Sequence, residues 1–247
     1  HAQPGIPDAQ ESRGLGDVYK RQVYGCTDNL AINYNEAANY SDSSCEYPDN
    51  GDYSLSFNGL DNHIVGVATS SLDVSTSNQL SISAWVKPLQ ANSTQRIFTH
   101  TNSGNNVHQQ YALSIDANNK LYFLAGSGDF EHNDINSSNK SLNLDEWTHT
   151  SITYDGTAIR LYLDGILDFE HFVVDSFEPN FIGQFLIGQR ADGAEKFNGY
   201  LDKIQVWSSC LSQQEIQFYM TSSPIGDEVG LAGYWNFNSA EGNILYD

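Results

Sequence analysis

Two consecutive runs decide the fold class: Thr148-His149-Thr150-Ser151-Ile152-Thr153-Tyr154, closed by Asp155-Gly156, and Ile159-Arg160-Leu161-Tyr162-Leu163, closed by Asp164-Gly165. Side chains alternate between the two faces of an extended strand, so Thr150, Ile152 and Tyr154 share one face while His149, Ser151 and Thr153 share the other. Each Asp-Gly pair marks a tight turn, because both residues tolerate backbone angles that most side chains avoid. Strands joined in this way form a meander. The same alternation recurs over residues 53–57, 80–86, 111–115 and 120–124, and further strands are expected over 185–188 and 199–207. Many short strands separated by turns are the pattern of a sandwich or barrel. Residues 212–220 alone read as a helix, with Ser212 as N-cap and Glu215 completing a capping box.

Eight short motifs follow one another at consistent spacing: Leu55-Ser56-Phe57-Asn58-Gly59, Ile82-Ser83-Ala84-Trp85-Val86, Trp147-Thr148-His149, Tyr154-Asp155-Gly156, Leu161-Tyr162-Leu163-Asp164-Gly165, Ile187-Gly188, Phe197-Asn198-Gly199-Tyr200-Leu201-Asp202, and Leu211-Ser212 with Glu215-Ile216. Together they resemble the laminin-G-like and pentraxin jelly roll over most of residues 50–222. The resemblance implies an all-β fold, a concanavalin A-like two-sheet antiparallel jelly-roll sandwich with one short helix. Gly230-Leu231-Ala232-Gly233-Tyr234-Trp235-Asn236-Phe237 is similar to the strand that opens many laminin-G-like domains. Residues 223–247 are thus expected either to close this sandwich or to begin a second domain, with 49–222 as its main body.

Residues 23–48 form a separate small segment. Gly25-Cys26-Thr27-Asp28, Asn33-Tyr34, Ala38-Asn39 and Ser44-Cys45 resemble a Cys-bounded repeat of secreted marine bacterial proteins. Cys26 and Cys45 stand 19 residues apart in a stretch too polar to hold its shape by core burial, and a disulfide is expected there, with reduced thiols or half a metal site as the alternative. Cys210 is left over and reads as a small buried hydrophobe. Residues 1–22 carry Pro and Gly among charges without strand or helix period; Ser12 to Gln22 resembles translated adapter sequence of metagenomic assemblies. That segment is expected to be disordered and non-native. No secretion-signal pattern opens the chain, so any such signal is expected to lie outside it.

Thirty-one acidic residues against eleven basic ones give a net charge of -20, which repels nucleic acid and anionic membrane. No apolar run approaches the roughly 20 residues of a membrane helix, and no membrane insertion is expected. The oxygen-rich Asp and Asn inventory suits calcium better than a transition metal.

Glycoside hydrolysis on such a sandwich needs two carboxylates about 5 to 9.5 Å apart. Jelly-roll glucanases place theirs alternately on one strand in a Glu-x-Asp-x-Glu run, and no such run occurs here. Asp168-Phe169-Glu170 and Glu131-His132-Asn133-Asp134 come nearest, and both read as solvated turn residues. His63, His100, His108, His132, His149 and His171 show no ligand spacing. The pentraxin resemblance implies calcium ligands at Asn105 and Asn106 and at Gln189 and Asp192, although Asn105 replaces a carboxylate and Arg190 brings a positive charge. Asp61 and Asn62 form an independent pair. Asx turns explain these residues equally well. The loop over 126–143, with Asp129, Phe130, His132, Asn133 and Asp134, mixes an aromatic with polar groups as a sugar site does. Trp85, Trp147 and Trp207 lie in alternating strands and read as core.

The expected function is a noncatalytic carbohydrate-binding or adhesive module of a larger, multidomain bacterial protein, extracellular or at the cell surface, with a glycan or surface protein as partner. A glycan-active enzyme or its accessory domain, or a structural spacer, are the alternatives.

Overall fold

In the computed structural model of the chain, the residues described are 22–27, 31–42, 44–46, 52–68, 70–74, 76–102, 109–125, 136–172, 183–238, 240–241 and 244–245. The chain divides into two compact units, His1–Pro48 and Asp49–Asp247.

In the small unit, β1 (Tyr24–Gly25) and β2 (Tyr40–Ser41) pair in parallel. Cys26 and Cys45 form the expected disulfide, with their Cα atoms 4.7 Å apart. Side-chain amides do here what an apolar core does elsewhere. Asn33 donates to the Ser44 carbonyl (2.5 Å) and accepts from the Glu46 amide (2.8 Å), while Asn39 accepts from the Val23 amide (3.0 Å).

The large unit contains β3 (Leu55–Asn58), β4 (Ile64–Val67), β5 (Leu80–Pro88), β6 (Gln95–Asn102), β7 (Gln109–Ile115), β8 (Lys120–Ala125), β9 (Asn136–Ser141), β10 (Thr148–Tyr154), β11 (Ala158–Leu163), β12 (Ile166–Phe172), β13 (Gly183–Ile187) and β14 (Asn198–Trp207), then helix α1 (Gln213–Thr221), β15 (Leu231–Trp235), β16 (Ala240–Glu241) and β17 (Ile244–Leu245). A seven-stranded sheet runs β12-β11-β10-β5-β14-β15, with β3 also on β14, and a six-stranded sheet runs β4-β13-β6-β7-β8-β9. All pairings within both sheets are antiparallel. The expected meander is β10-β11-β12, and its second turn has Asp164 at φ 48° and Gly165 at φ 70°, the positive values a two-residue hairpin turn requires.

One face of each sheet builds the core: Leu80, Ile82, Ala84, Val86, Ile152, Tyr154, Leu161, Leu201, Ile204 and Val206 from the larger sheet meet Phe98, Tyr111, Leu113, Ile115, Phe123, Phe185 and Ile187 from the smaller. The two-sheet jelly-roll sandwich with one α-helix is therefore the fold. β15 pairs with the second half of β14 and sends Trp235 into that core.

The helix begins as its capping box dictates: the Glu215 amide donates to Ser212 Oγ (3.3 Å), and the Ser212 amide donates to Glu215 Oε2 (2.7 Å).

Candidate binding face

With Leu80, Ile82, Ala84 and Val86 committed to the core, alternation puts Ser81, Ser83, Trp85 and Lys87 on the outer face of the seven-stranded sheet. By the same register His149, Ser151 and Thr153 come from β10, and Tyr200, Asp202, Gln205 and Trp207 from β14. Helix α1 covers one half of this face. Trp207, Tyr162, Leu211 and Ile216 form a satellite apolar cluster there, and Trp207 meets the Tyr219 ring at 4.7 Å. Gln205 Nε2 and Trp85 Nε1 donate to the Tyr219 and Met220 carbonyls (3.2 and 3.3 Å), so two carbonyls of the last helical turn find partners on the sheet. His149 is buried edge-on against Trp85, with ring centroids 5.3 Å apart, and burial lowers its pKa to about 4.

The other half of the face lies open. Trp147, expected in the core, is 40% exposed. It sits just before β10, at the end of a loop that is tied down where the Asp145 amide donates to the Pro88 carbonyl (2.8 Å). Its ring stands 6.4 Å from that of Tyr200, and Lys87 Nζ lies 5.8 Å over the Tyr200 ring while pairing with Asp145 at 2.9 Å. An indole tilted against a phenol, with an ammonium over the phenol, offers an apolar surface with polar rims.

Asp202 follows Tyr200 on the same face. β3 pairs with Asn198 to Leu201 and β15 with Ile204 to Trp207, so Asp202 and Lys203 fall between the two partners of that edge. Between Asp202 and Gln205, β14 also carries one residue more than β5, a bulge at which Lys203 takes φ 49°. Bulges re-aim side chains and occur beside functional sites. The half-buried Asp202 carboxylate accepts from the Lys203 amide (2.7 Å), and desolvation pushes its pKa up to about 6 against the pull of Lys203.

A laminin-G-type model described as the concanavalin A-like lectin/glucanases superfamily matches residues 61–217, well over half of the chain. The chain belongs to the concanavalin A-like lectin/glucanases superfamily. No curated protein matches its sequence. Solved structures share the fold at low identity. A protein from Bacteroides ovatus ATCC 8483 whose name proposes carbohydrate binding is 20% identical with a TM-score of 0.58, over 76% of this chain and 54% of its own, so this chain spans about half that protein's length. The heptameric SAP-like pentraxin of Limulus polyphemus is 20% identical with a TM-score of 0.53, over 70% of this chain and 83% of its own. Domain 4 of AbnA, a GH43 extracellular arabinanase of Geobacillus stearothermophilus solved with arabinotriose, is 21% identical with a TM-score of 0.51, over 70% of this chain and 79% of its own. At such identities the likeness shows the fold.

Within this superfamily member, the residues expected to bind a ligand or calcium fall in three places. Asp129, Phe130, His132, Asn133, Asp134, Asn105 and Asn106 lie outside the described residues. Asp192 accepts two hydrogen bonds from Arg190 (2.9 and 2.6 Å), which hold its carboxyl to a pKa of about 2. Arg190 also binds Glu195 (2.6 Å), which pairs with the buried Arg96 at 2.6 Å, and Gln189 is buried with its carbonyl accepting from Thr99 (3.3 Å). Asn58 Oδ1 accepts from the amides of Leu60, Asp61 and Asn62 (2.9, 3.1 and 3.3 Å), and Asn58 Nδ2 donates to Asp61 (2.6 Å). That is an Asx-type loop, and the described members of the calcium set do not fit a divalent cation as arranged: a guanidinium holds one carboxylate and an amide the other. Among the described residues no three of His, Cys, Asp and Glu converge.

The nearest carboxylate pair also has partners of its own. Asp168 accepts from the Asn139 and Lys140 amides (2.5 and 3.2 Å), and Glu170 accepts from Arg160 (2.6 Å). Cys210, expected to be buried, is half-buried beside the covered part of the face, and burial raises its pKa.

Proposed function

We propose that the chain is a noncatalytic carbohydrate-binding module that holds its glycan on the open half of the seven-stranded sheet. The observation that carries this reading is the exposed Trp147 beside Tyr200 and Lys87, on a face whose neighbouring aromatics are sealed under α1. An exposed indole costs apolar hydration, and a sugar ring, apolar on its faces and polar at its rim, covers it without stranding any hydroxyl. The Bacteroides structure is named for carbohydrate binding and the Geobacillus one holds arabinotriose, which makes glycans the ligand class to test first.

The noncatalytic part rests on the Asp168 and Glu170 carboxylates being held by chain partners. The module is proposed to act outside the cell, where its disulfide persists, and within a longer protein, of which the Bacteroides relative's greater length is the suggestion. Binding is proposed to be independent of calcium, since Arg190 and Asn58 already hold Asp192 and Asp61.

Affinity electrophoresis and calorimetry over a panel of soluble polysaccharides test the reading. At least one glycan is expected to bind, Trp147→Ala is expected to weaken it tenfold or more, and no new reducing ends are expected on incubation. The same affinity should be found in calcium and in EGTA. Binding to a surface protein with no glycan bound would favour the adhesive reading, and no partner of either kind the spacer.

A further inference from the structure

We propose that Asp202 is the polar anchor of the Trp147–Tyr200 platform, and that it makes this site select uncharged, hydroxyl-rich glycans over anionic ones with a grip that weakens in acid. The inference rests on the carbohydrate-binding reading and goes further, to the class of glycan and the condition under which it is held.

Three observations place Asp202 in that role. It stands two residues from Tyr200 on the same strand and face, which in an extended strand is about 7 Å, one sugar's reach. The β14 bulge breaks the register with β5 at this point, and Lys203 at φ 49° is a lysine in a conformation that glycine adopts more cheaply. Its carboxylate is half-buried yet has the Lys203 amide as its one hydrogen-bond donor among the described residues, which leaves acceptor capacity on a group already part-stripped of water. A sugar with two neighbouring hydroxyls supplies the missing donors in charge-assisted form.

The charges around it set the selectivity. Lys203, on its own bulge, also reaches Asp52 at 3.9 Å, which adds a second negative charge nearby. From β15 the neighbour is the Tyr234 phenol, whose pKa burial raises, as the Asp202 and Asp52 charges do in smaller measure. From β5 it is Trp85, with the neutral His149 behind it, and α1 contributes the Met220 carbonyl bound to Trp85. Lys87, one step along β5 from Val86, is committed to Asp145. The described lysines at this face, Lys87 and Lys203, already pair with Asp145 and Asp52, and the chain's net charge of -20 opposes any polyanion. An uncharged glycan meets none of this repulsion.

The carboxyl offers both oxygens as charge-assisted acceptors only when ionised; protonated, one oxygen becomes a donor and the charge is lost. With its pKa near 6, it is about one-tenth ionised at pH 5 and almost wholly ionised at pH 8, so the grip falls as the medium acidifies.

Calorimetry or affinity electrophoresis at pH 8 and pH 5 tests this, with arabinan, xylan, galactomannan and mixed-linkage glucan as uncharged probes and polygalacturonate and hyaluronan as anionic ones. We expect binding among the uncharged probes only, about tenfold weaker at pH 5. Asp202→Asn is expected to weaken binding tenfold or more at pH 8 and to flatten the pH profile, and Asp202→Ser should do the same if the amide disturbs the bulge. Tighter binding of either anionic probe, or a variant with wild-type affinity and pH profile, would overturn the inference. If Trp147→Ala abolishes binding while Asp202→Asn does not, the platform stands and the anchor falls. If none of the six probes binds at either pH, both fall.

Discussion

Trp207 and Trp147 share one face of one sheet, and one is 1% exposed while the other is 40% exposed. Both follow or precede strand residues of the same alternating kind. What separates them is α1, which packs Tyr219 on the first and ends, with its Met220 carbonyl on Trp85, before reaching the second. The covered half of the face is a second hydrophobic core in miniature, and it contributes stability. On the open half Trp147 rests against Tyr200, with Lys87 over the Tyr200 ring, and stays 40% exposed. On this sandwich the helix, rather than the strands, decides which aromatic of the face is buried and which is left exposed.

The two halves should respond to mutation in opposite ways. Trp207→Ala removes a fully buried indole and leaves a cavity under α1, so urea denaturation should show a loss of about 3–5 kcal/mol, with glycan affinity retained by the fraction that folds. A loss below about 1 kcal/mol would mean that the covered half is not packed as described. Acid should also act through one buried histidine in each sheet. His149 beneath Trp85 and His100, buried against Tyr111 at 4.8 Å, both have pKa values lowered to about 4 by desolvation, slightly opposed at His100 by Asp73. A lowered folded-state value gives stability that is fully present above the ordinary histidine value of 6.5 and is lost as pH falls through 4. Thermal melts between pH 7 and pH 4 should fall accordingly, by up to about 3 kcal/mol for each histidine, and substitution of either by Gln should make the fall shallower.

A reference outside both halves is the small unit. Reducing Cys26–Cys45 should cost it about 3 kcal/mol while the melting transition of the sandwich stays in place. A shift of the sandwich transition on reduction would contradict the division into two units.

On the open side the signs reverse. The pKa of Asp202 is raised, so its contribution to stability is present below the ordinary carboxylate value and is lost as pH rises through about 6. Asp202→Asn should therefore stabilise the fold at pH 8 by about 1 kcal/mol, after allowance for the solvent that still reaches the group, even as it weakens binding. Trp147→Ala should change stability least, by less than about 0.5 kcal/mol.

Much of the fold could be read from the sequence because its signals are local. The Asp164-Gly165 turn, the alternation of β5, β10 and β11, and the Ser212–Glu215 capping box each depend on residues within a few positions of one another. β6 escaped that reading: Gln95, Arg96, Thr99, His100 and Thr101 are polar yet buried, since both faces of this central strand are covered, and no apolar alternation survives. The binding face was less legible still. Trp147 was read as core from its strand context, because what covers Trp207 and spares Trp147 is a helix some 70 residues further along the chain. Asp202 by itself carries no sequence signal beyond the family motif, for a bulge shows as a mismatch between two strands and leaves no trace in either alone. A sequence signal did exist in Tyr200 and Asp202, two residues apart on a strand, and it gains meaning only once Lys87 and Trp147 are placed beside them.

The central claim is that the open half of the sheet holds the glycan, and the four tryptophans report on it directly. Their indole N–H resonances, assigned by single Trp→Phe substitutions, can be followed while the tightest-binding polysaccharide is titrated into isotopically labelled protein. The Trp147 resonance should move most and that of Trp85 follow, while those of Trp207 and Trp235 stay where they are. A bound glycan that leaves Trp147 unmoved, or that shifts Trp207 or Trp235 instead, would contradict that claim.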